Sequence, residues 1–405
     1  MTSGHWAEEL KRDIRRKRLE LLKARGPLGG GSAQTEGWKR PWRELSYYHW
    51  METWSKKAEA QIRVGIATGA CGTGTINWNI VLYTWMESAA TYLRDWPTVL
   101  KAATAARMGH EADAMKLLEW SDEEIQNIAA LWSPDMHYVT ICDLTQDAPE
   151  SDPTLDGPFC GAFFSSDPKN PFIGLVFKGT HVESWQELLV DLHYAPVHAQ
   201  DGHVWDTHVS HGVYSTLFGP FSKLDGQTPF EYIKNIACTL ISERIQASTD
   251  VPVRLHLTGH SLGASYAALY FAELLRLFDN GPISSQSGKP ACILRDLYTF
   301  GSPRFGLLDF VDVFSLAIDE HDGYSWRINC SQDPVCLVPP VLITDARFIH
   351  LDKAYEVSQS DGPLELASER NSHPRPPLPV VPINMSNHTP WAYFNALYNT
   401  ATHTA

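Results

Sequence analysis

At 405 residues, with 43% apolar and 20% charged residues, the chain is long enough to bury one large core and has the balance of a water-soluble globular protein. Its net charge of −14 argues against nucleic acid as a partner and against strong attraction to anionic membranes, and no apolar run is long enough to span a bilayer. Seven cysteines, an odd number without C-x-x-C spacing, fit reduced thiols and indicate no zinc site; with the charged start Met1 to Arg25, which lacks the apolar core of a secretory signal, they suggest a cytoplasmic protein.

Glu8 to Ala24 has a helical composition and is basic, with an irregular apolar stripe (Leu10, Ile14, Leu19, Leu21, Leu22) that suggests a solvated or loosely docked helix. Gly26-Pro27 ends it, and Gly29-Gly30-Gly31-Ser32 reads as a flexible linker. From Trp42 to Leu131 the pattern is mostly helical and rich in tryptophan, and Ser121-Asp122-Glu123-Glu124 ahead of Ile125 has the form of a capping box. The glycines at 69, 72 and 74 lack the G-K-[S/T] ending and the preceding strand of a phosphate loop, so a plain turn is expected there. Strand signals begin at Tyr138 to Cys142; Phe159 to Ser165 and Phe172 to Lys178 then flank Asp167-Pro168-Lys169-Asn170 as a hairpin. Phe230 to Gln246 predicts a helix, Val253 to Thr258 a strand, Ala264 to Phe278 a helix, Leu294 to Phe300 and Trp326 to Asn329 strands, with a helix over Phe310 to Ile318. That alternation implies a parallel sheet covered on both faces. A Pro-rich loop around Pro374 to Pro382 follows, and Thr389-Pro390 opens a last helix as N-cap and first-turn proline.

The chemistry centres on Gly259-His260-Ser261-Leu262-Gly263 between the predicted strand and helix. Strand, G-x-S-x-G, helix is a nucleophile elbow, which holds the serine on a strained turn with Oγ exposed. Side chains at Gly259 and Gly263 would collide with the neighbouring strand and helix. The Leu262 amide, at the helix start, would face a developing oxyanion. A serine nucleophile needs a base, and the base an orienting carboxylate; in such a fold the chain order is serine, acid, histidine. Asp333 follows a predicted strand end, and His388 stands on the loop entering the last helix. Among 17 histidines, His350 and His373 are rival bases, and Asp309, Asp312 and Asp322 are rival acids; His260 is expected to project away from the serine and serve packing.

Several further stretches resemble, in order, those of the class 3 lipases, the fungal triacylglycerol lipase-like branch of the α/β-hydrolases. Thr258 to Ala264 resembles the family's nucleophile motif, and Phe177-Lys178-Gly179-Thr180 its oxyanion segment. His211-Gly212-Val213 is similar to a short V-H-x-G-F element, and Tyr298 to Gly306 to its Y-T-F-G-x-P-R-V-G box. Asp333-Pro334-Val335 with Pro339-Pro340 resembles the acid-bearing stretch, and Asn387-His388 with Tyr393-Phe394 the base-bearing one. Ala264, Lys178 and Asn387 stand where the family usually has glycine, arginine and aspartate. The resemblance, running from about Tyr138 onward, implies Ser261 as nucleophile, His388 as base, Asp333 as acid, and an oxyanion hole from the amides of Thr180 and Leu262. It also implies a lid helix after Thr180, where Trp185, Leu188, Leu189 and Leu192 share one apolar face and Glu183, Glu187 and Asp191 another.

The expected fold is an α/β-hydrolase, a mostly parallel central sheet with helices on both faces and a helical N-terminal extension. Its expected divisions are a charged helix and linker (1–40), a helical region (41–131) and the hydrolase domain (132–405). The expected reaction is hydrolysis of carboxylic esters, acylglycerols foremost, with no metal or cofactor and with transient contact to a lipid interface. A short-chain or aryl carboxylesterase and a catalytically silent lipid-binding protein stay open as alternatives.

Overall fold

The computed structural model describes residues 3–24, 45–145, 156–179, 195–219, 226–247, 251–278, 292–339, 347–371 and 385–404. The Gly29–Ser32 linker, the Pro-rich loop, Thr180 and the proposed lid residues Trp185, Leu188 and Leu189 lie outside them. Among the described residues six helices come first: α1 (Ser3–Ala24), α2 (Leu45–Lys57), α3 (Glu59–Thr68), α4 (Trp78–Ala90), α5 (Trp96–Arg107) and α6 (Glu111–Trp132). Strands β1 (Met136–Thr145), β2 (Asp156–Ser165), β3 (Phe172–Phe177), β4 (Pro196–His198) and β5 (His208–Ser210) follow, then helices α7 (His211–Phe218) and α8 (Pro229–Ala247). The chain continues through β6 (Val253–His260), α9 (Leu262–Phe278), β7 (Cys292–Phe300), α10 (Leu308–Glu320), β8 (Ser325–Cys330), β9 (Ala354–Val357), β10 (Leu364–Leu366) and α11 (Pro390–His403).

Among the described residues the main sheet has eight strands in the order β1-β2-β3-β6-β7-β8-β9-β10. Pairing is antiparallel for β1–β2, β2–β3 and β9–β10 and parallel from β3 through β9. This is the α/β-hydrolase arrangement: helices cross between the parallel strands, and the loops at their C-terminal ends gather along one edge.

Side-chain alternation along the strands divides the interior into two cores. Ile173, Leu175 and Phe177 of β3 enter one, shared with α1, α8 and α9; Phe172 and Val176 enter the other, shared with α2, α4, α6 and α11. In β6 the division is chemical as well. Val253, Leu255 and Leu257 are apolar on the first face, while His256, Thr258 and His260 line the second, all buried. Three polar contacts join this second face to α4 and the 3₁₀ turn after it. They are His256 Nε2–Glu87 Oε2 at 2.7 Å, Thr258 Oγ1–Ser88 Oγ at 2.9 Å and His260 Nδ1–Tyr92 Oη at 2.6 Å. Buried polar groups need such partners, so the strand and the helix specify one another.

Two expectations are corrected. α1 is neither solvated nor loosely held, because Ala7, Leu10, Ile14, Leu19 and Leu22 are buried, and so are Arg15 and Arg18. Arg18 pairs with Asp143 at 2.8 Å and Asp122 at 3.2 Å, and Arg94 also grips Asp143. Of the basic residues on this helix, Arg15 and Arg18 are spent on carboxylates of α6 and β1. Nor does Ser121 cap a helix: α6 runs unbroken through it, the Ser121 hydroxyl donates to the Leu118 carbonyl, and the carboxylate of Asp122 receives Arg18. The glycine-rich turn is a turn, with Gly69 the left-handed C-cap of α3 and the Gly72 amide donating to Asp296. Strands β9 and β10 were not expected; they are short and half-exposed, with little periodic signal. Among the described residues no helix is long and apolar enough to cross a membrane.

Candidate active site

The local chain path around Ser261 follows from sterics. Ser261 has φ +60°, a left-handed conformation that a side-chain-bearing residue adopts at a cost. The turn closes so sharply that a Cβ on Gly259 would lie 2.4 Å from the Gly263 carbonyl oxygen. A Cβ on Gly263 would lie 2.3 Å from the carbonyl oxygen of Phe177, at the end of β3. The Ser261 amide donates to the Phe300 carbonyl at 2.9 Å, which ties the turn to β7. Ala264 is accommodated fully buried at the strand–helix contact. Leu262 opens α9, so its N–H has no partner within the helix.

The β3 end approaches this turn closely. A Cβ on Gly179 would meet the His260 carbonyl at 2.5 Å and the Ser261 Cβ at 2.7 Å, so only glycine fits beside the serine. Lys178, buried, donates to the Gly179 carbonyl at 2.9 Å and lies over the Tyr92 ring at 5.3 Å. The backbone reaching Thr180 therefore passes against Ser261, and Thr180 itself lies outside the described residues.

Asp333 and His388 are brought together, both buried, from loops 55 residues apart. His388 Nδ1 lies 2.8 Å from Oδ2 and 3.0 Å from Oδ1 of Asp333. A proton on Nδ1 leaves Nε2 as an acceptor, and Nε2 has no hydrogen-bond partner among the described residues. Asp333 also accepts from the Val335 amide at 2.9 Å, capping the 3₁₀ turn Pro334–Leu337, and from the Tyr393 hydroxyl at 2.5 Å. Asn387, which stands in place of an aspartate, donates to the Ser331 carbonyl at 3.0 Å and so ties the histidine loop to the acid loop. Gly301 has φ +56°, and a Cβ there would fall 2.8 Å from Asp333 Oδ2 and 3.0 Å from His388 Cε1.

The rivals are engaged elsewhere. Buried His350 makes a 2.8 Å contact from Nε2 to the Cys336 carbonyl, and burial, with Arg327 nearby, drives its pKa well below the ordinary histidine value. Asp309 pairs with His208, Asp312 with Arg370 and Asp322 with Arg295. His373 lies outside the described residues.

One expectation about the site changes. His260 does more than fill space: its ring stacks on His388, centroids 4.5 Å apart and planes 26° from parallel. Tyr92, Trp85, Tyr393 and Gly301 complete the surroundings of the histidine pair, and sequence reasoning assigned none of them a role. The signal available was the alternation of His256, Thr258 and His260, polar residues on a strand buried on both faces.

Comparison with known proteins adds three findings. Residues 174–343 match the family described as Lipase (class 3). A secreted mono- and diacylglycerol lipase 1 of Fusarium solani is 32% identical over 111 residues, covering 25% of this chain and 28% of that protein. The matched stretch thus spans less than a third of the relative's length. Among solved structures, the Rhizomucor miehei triacylglyceride lipase is 21% identical with a TM-score of 0.37, covering 57% of this chain and 69% of that one. Lipase II of Rhizopus niveus is 20% identical with a TM-score of 0.38, covering 68% and 79%.

Proposed function

We propose that this chain, with a class 3 lipase segment at residues 174–343, is a serine hydrolase that cleaves carboxylic esters of acylglycerol type. Ser261 Oγ attacks the ester carbonyl carbon while His388 Nε2 takes its proton, and Asp333 holds the Nδ1 proton and stabilises the imidazolium. The amides of Leu262 and Thr180 receive the oxyanion, an interaction worth about 3 kcal/mol per donor. His388 then returns its proton to the departing alcohol, leaving an acyl-serine. Water, deprotonated by the same histidine, attacks the acyl carbon, and the proton passes back to Ser261 Oγ as the carboxylic acid leaves.

The observation that carries this reading is the convergence of a strained serine, φ +60°, with a buried histidine–carboxylate pair whose ring lies against the residue preceding that serine. Labelling with a fluorophosphonate probe tests it: wild type is expected to label and Ser261→Ala not to, and an unlabelled wild type would favour a silent binding protein. Acylglycerols as substrates, contact with a lipid interface, and a lid carrying Trp185, Leu188 and Leu189 belong to the same proposal. They are supported by the family match and by the amphipathic pattern of residues 181–192. A chain-length series of nitrophenyl and glyceryl esters distinguishes an acylglycerol lipase from a short-chain esterase. A cytoplasmic location is proposed on the seven cysteines, none of them in a disulfide and five of them buried, and assay of growth medium against cell extract decides it.

A further inference from the structure

The carboxylate of Asp333 grips one edge of His388, but an edge contact alone leaves the ring free to pivot about the line from Nδ1 to the two oxygens. A general base must keep Nε2 aimed at one proton through two successive transfers, so something has to block that pivot. Among the described residues one flat contact is available. The His260 ring lies against the His388 ring at 4.5 Å with a 26° tilt. His260 is in turn restrained at three places: by its backbone in β6, by the Tyr92 hydroxyl 2.6 Å from Nδ1, and by the Trp85 indole edge-on at 5.1 Å.

We propose that His260, held by the Tyr92 hydroxyl, is a positioning residue for the general base. It serves as a flat aromatic platform that fixes the rotation of His388, so that the helical region ahead of the sheet takes part in the reaction. The inference rests on the reading of Ser261, His388 and Asp333 given above. Tyr92 belongs to the 3₁₀ turn Thr91–Leu93, which directly continues α4. The Glu87–His256 and Ser88–Thr258 contacts fix α4 against the elbow strand, and these ties place the Tyr92 hydroxyl in register with His260.

The platform is suited to lie beside a ring that becomes cationic. Burial, with His388 close by, drives the His260 pKa well below the ordinary histidine value. An uncharged His260 therefore does not oppose the imidazolium that forms at each proton transfer.

Tyr92 also lies close to the oxyanion segment, since a Cβ on Gly179 would come 3.0 Å from its hydroxyl. A direct contact with substrate is thus the competing role, and kinetics separate the two. On a soluble short-chain nitrophenyl ester, Tyr92→Phe is expected to lower kcat about tenfold with KM within about twofold. His260→Leu, which removes the platform, is expected to lower kcat about a hundredfold, and His260→Phe, which restores a flat ring, to recover about tenfold of that. In the His260→Phe background Tyr92→Phe should cost nothing further, because its only route of action is gone. The same factor lost in both backgrounds, a raised KM at unchanged kcat, or a fall in melting temperature at unchanged kcat would each overturn the proposal. If His260→Leu fails to fold, the isosteric Tyr92→Phe carries the test alone. Ser261→Ala is run alongside: if it keeps activity, the triad reading itself fails, whereas an inactive Ser261→Ala with a fully active Tyr92→Phe sinks only the positioning role.

Discussion

Ser261 sits at φ +60°, where glycine is at ease and serine is not. Two substitutions with the same chemical loss should therefore differ in stability. Ser261→Ala removes Oγ and keeps the strain, so activity should vanish at an unchanged melting temperature. Ser261→Gly should be equally inactive and more stable by about 1 kcal/mol, because the left-handed conformation no longer opposes a Cβ. Thermal melts of the pair check this, and equal melting temperatures would show that the turn is relaxed. Gly301 gives the complementary case. Gly301→Ala would push a methyl group into Asp333, Tyr393 and His388 at 2.8 to 3.0 Å from a backbone with φ +56°. It should lower kcat about a hundredfold or more and destabilise the fold, measured by steady-state rates and a urea melt.

At the scale of elements, the buried arginines of α1 carry the clearest consequence. Arg18→Met leaves the carboxylate of Asp122 with a weaker set of partners and takes from Asp143 one of the two arginines that grip it. Breaking a buried pair from one side costs about 3 kcal/mol or more, and a urea melt should show that loss with the sheet otherwise intact. A loss below about 0.5 kcal/mol would mean that α1 contributes little. The same helix shows where sequence reasoning ran out. Its arginines are indistinguishable from solvated ones until Asp122 and Asp143, more than 100 residues away, are seen opposite them. The elbow strand, its helix and the strands ending at Phe300 and Cys330 were legible because their signals are local: alternation, glycine positions, a strand end. The Ser121 stretch misled for the same reason, since a capping box is a local pattern that a continuous helix can override when Asp122 has a buried partner. The lid pattern, equally local, yields its own test. Trp185→Ala with Leu189→Ser should weaken hydrolysis of emulsified long-chain esters and spare soluble short ones, and equal losses on both would show a helix that belongs to the core.

Across the whole molecule, histidines held neutral set the response to acid. Burial lowers the His137 pKa to about 4, and burial drives His260 and His350 well below the ordinary 6.5. In each case the unfolded chain binds the proton first, so the associated stability is complete above about pH 6.5 and is lost as the pH falls below it, towards about 4 for His137. Melting temperature measured across that range should decline, and His350→Gln, which keeps a donor for the Cys336 carbonyl, should make the decline shallower. A slope identical to wild type would remove His350 from the account.

The polar face of β6 also bears on time. The residues around His388 come from positions 85, 92, 260, 301, 333 and 393, which belong to five stretches of chain far apart in sequence. Contacts of such long sequence separation close late, after loop entropy has been overcome. Upon dilution from denaturant, helical circular dichroism should return first and esterase turnover last, when α4 has slid into register on the strand and the tyrosine hydroxyl has found its imidazole.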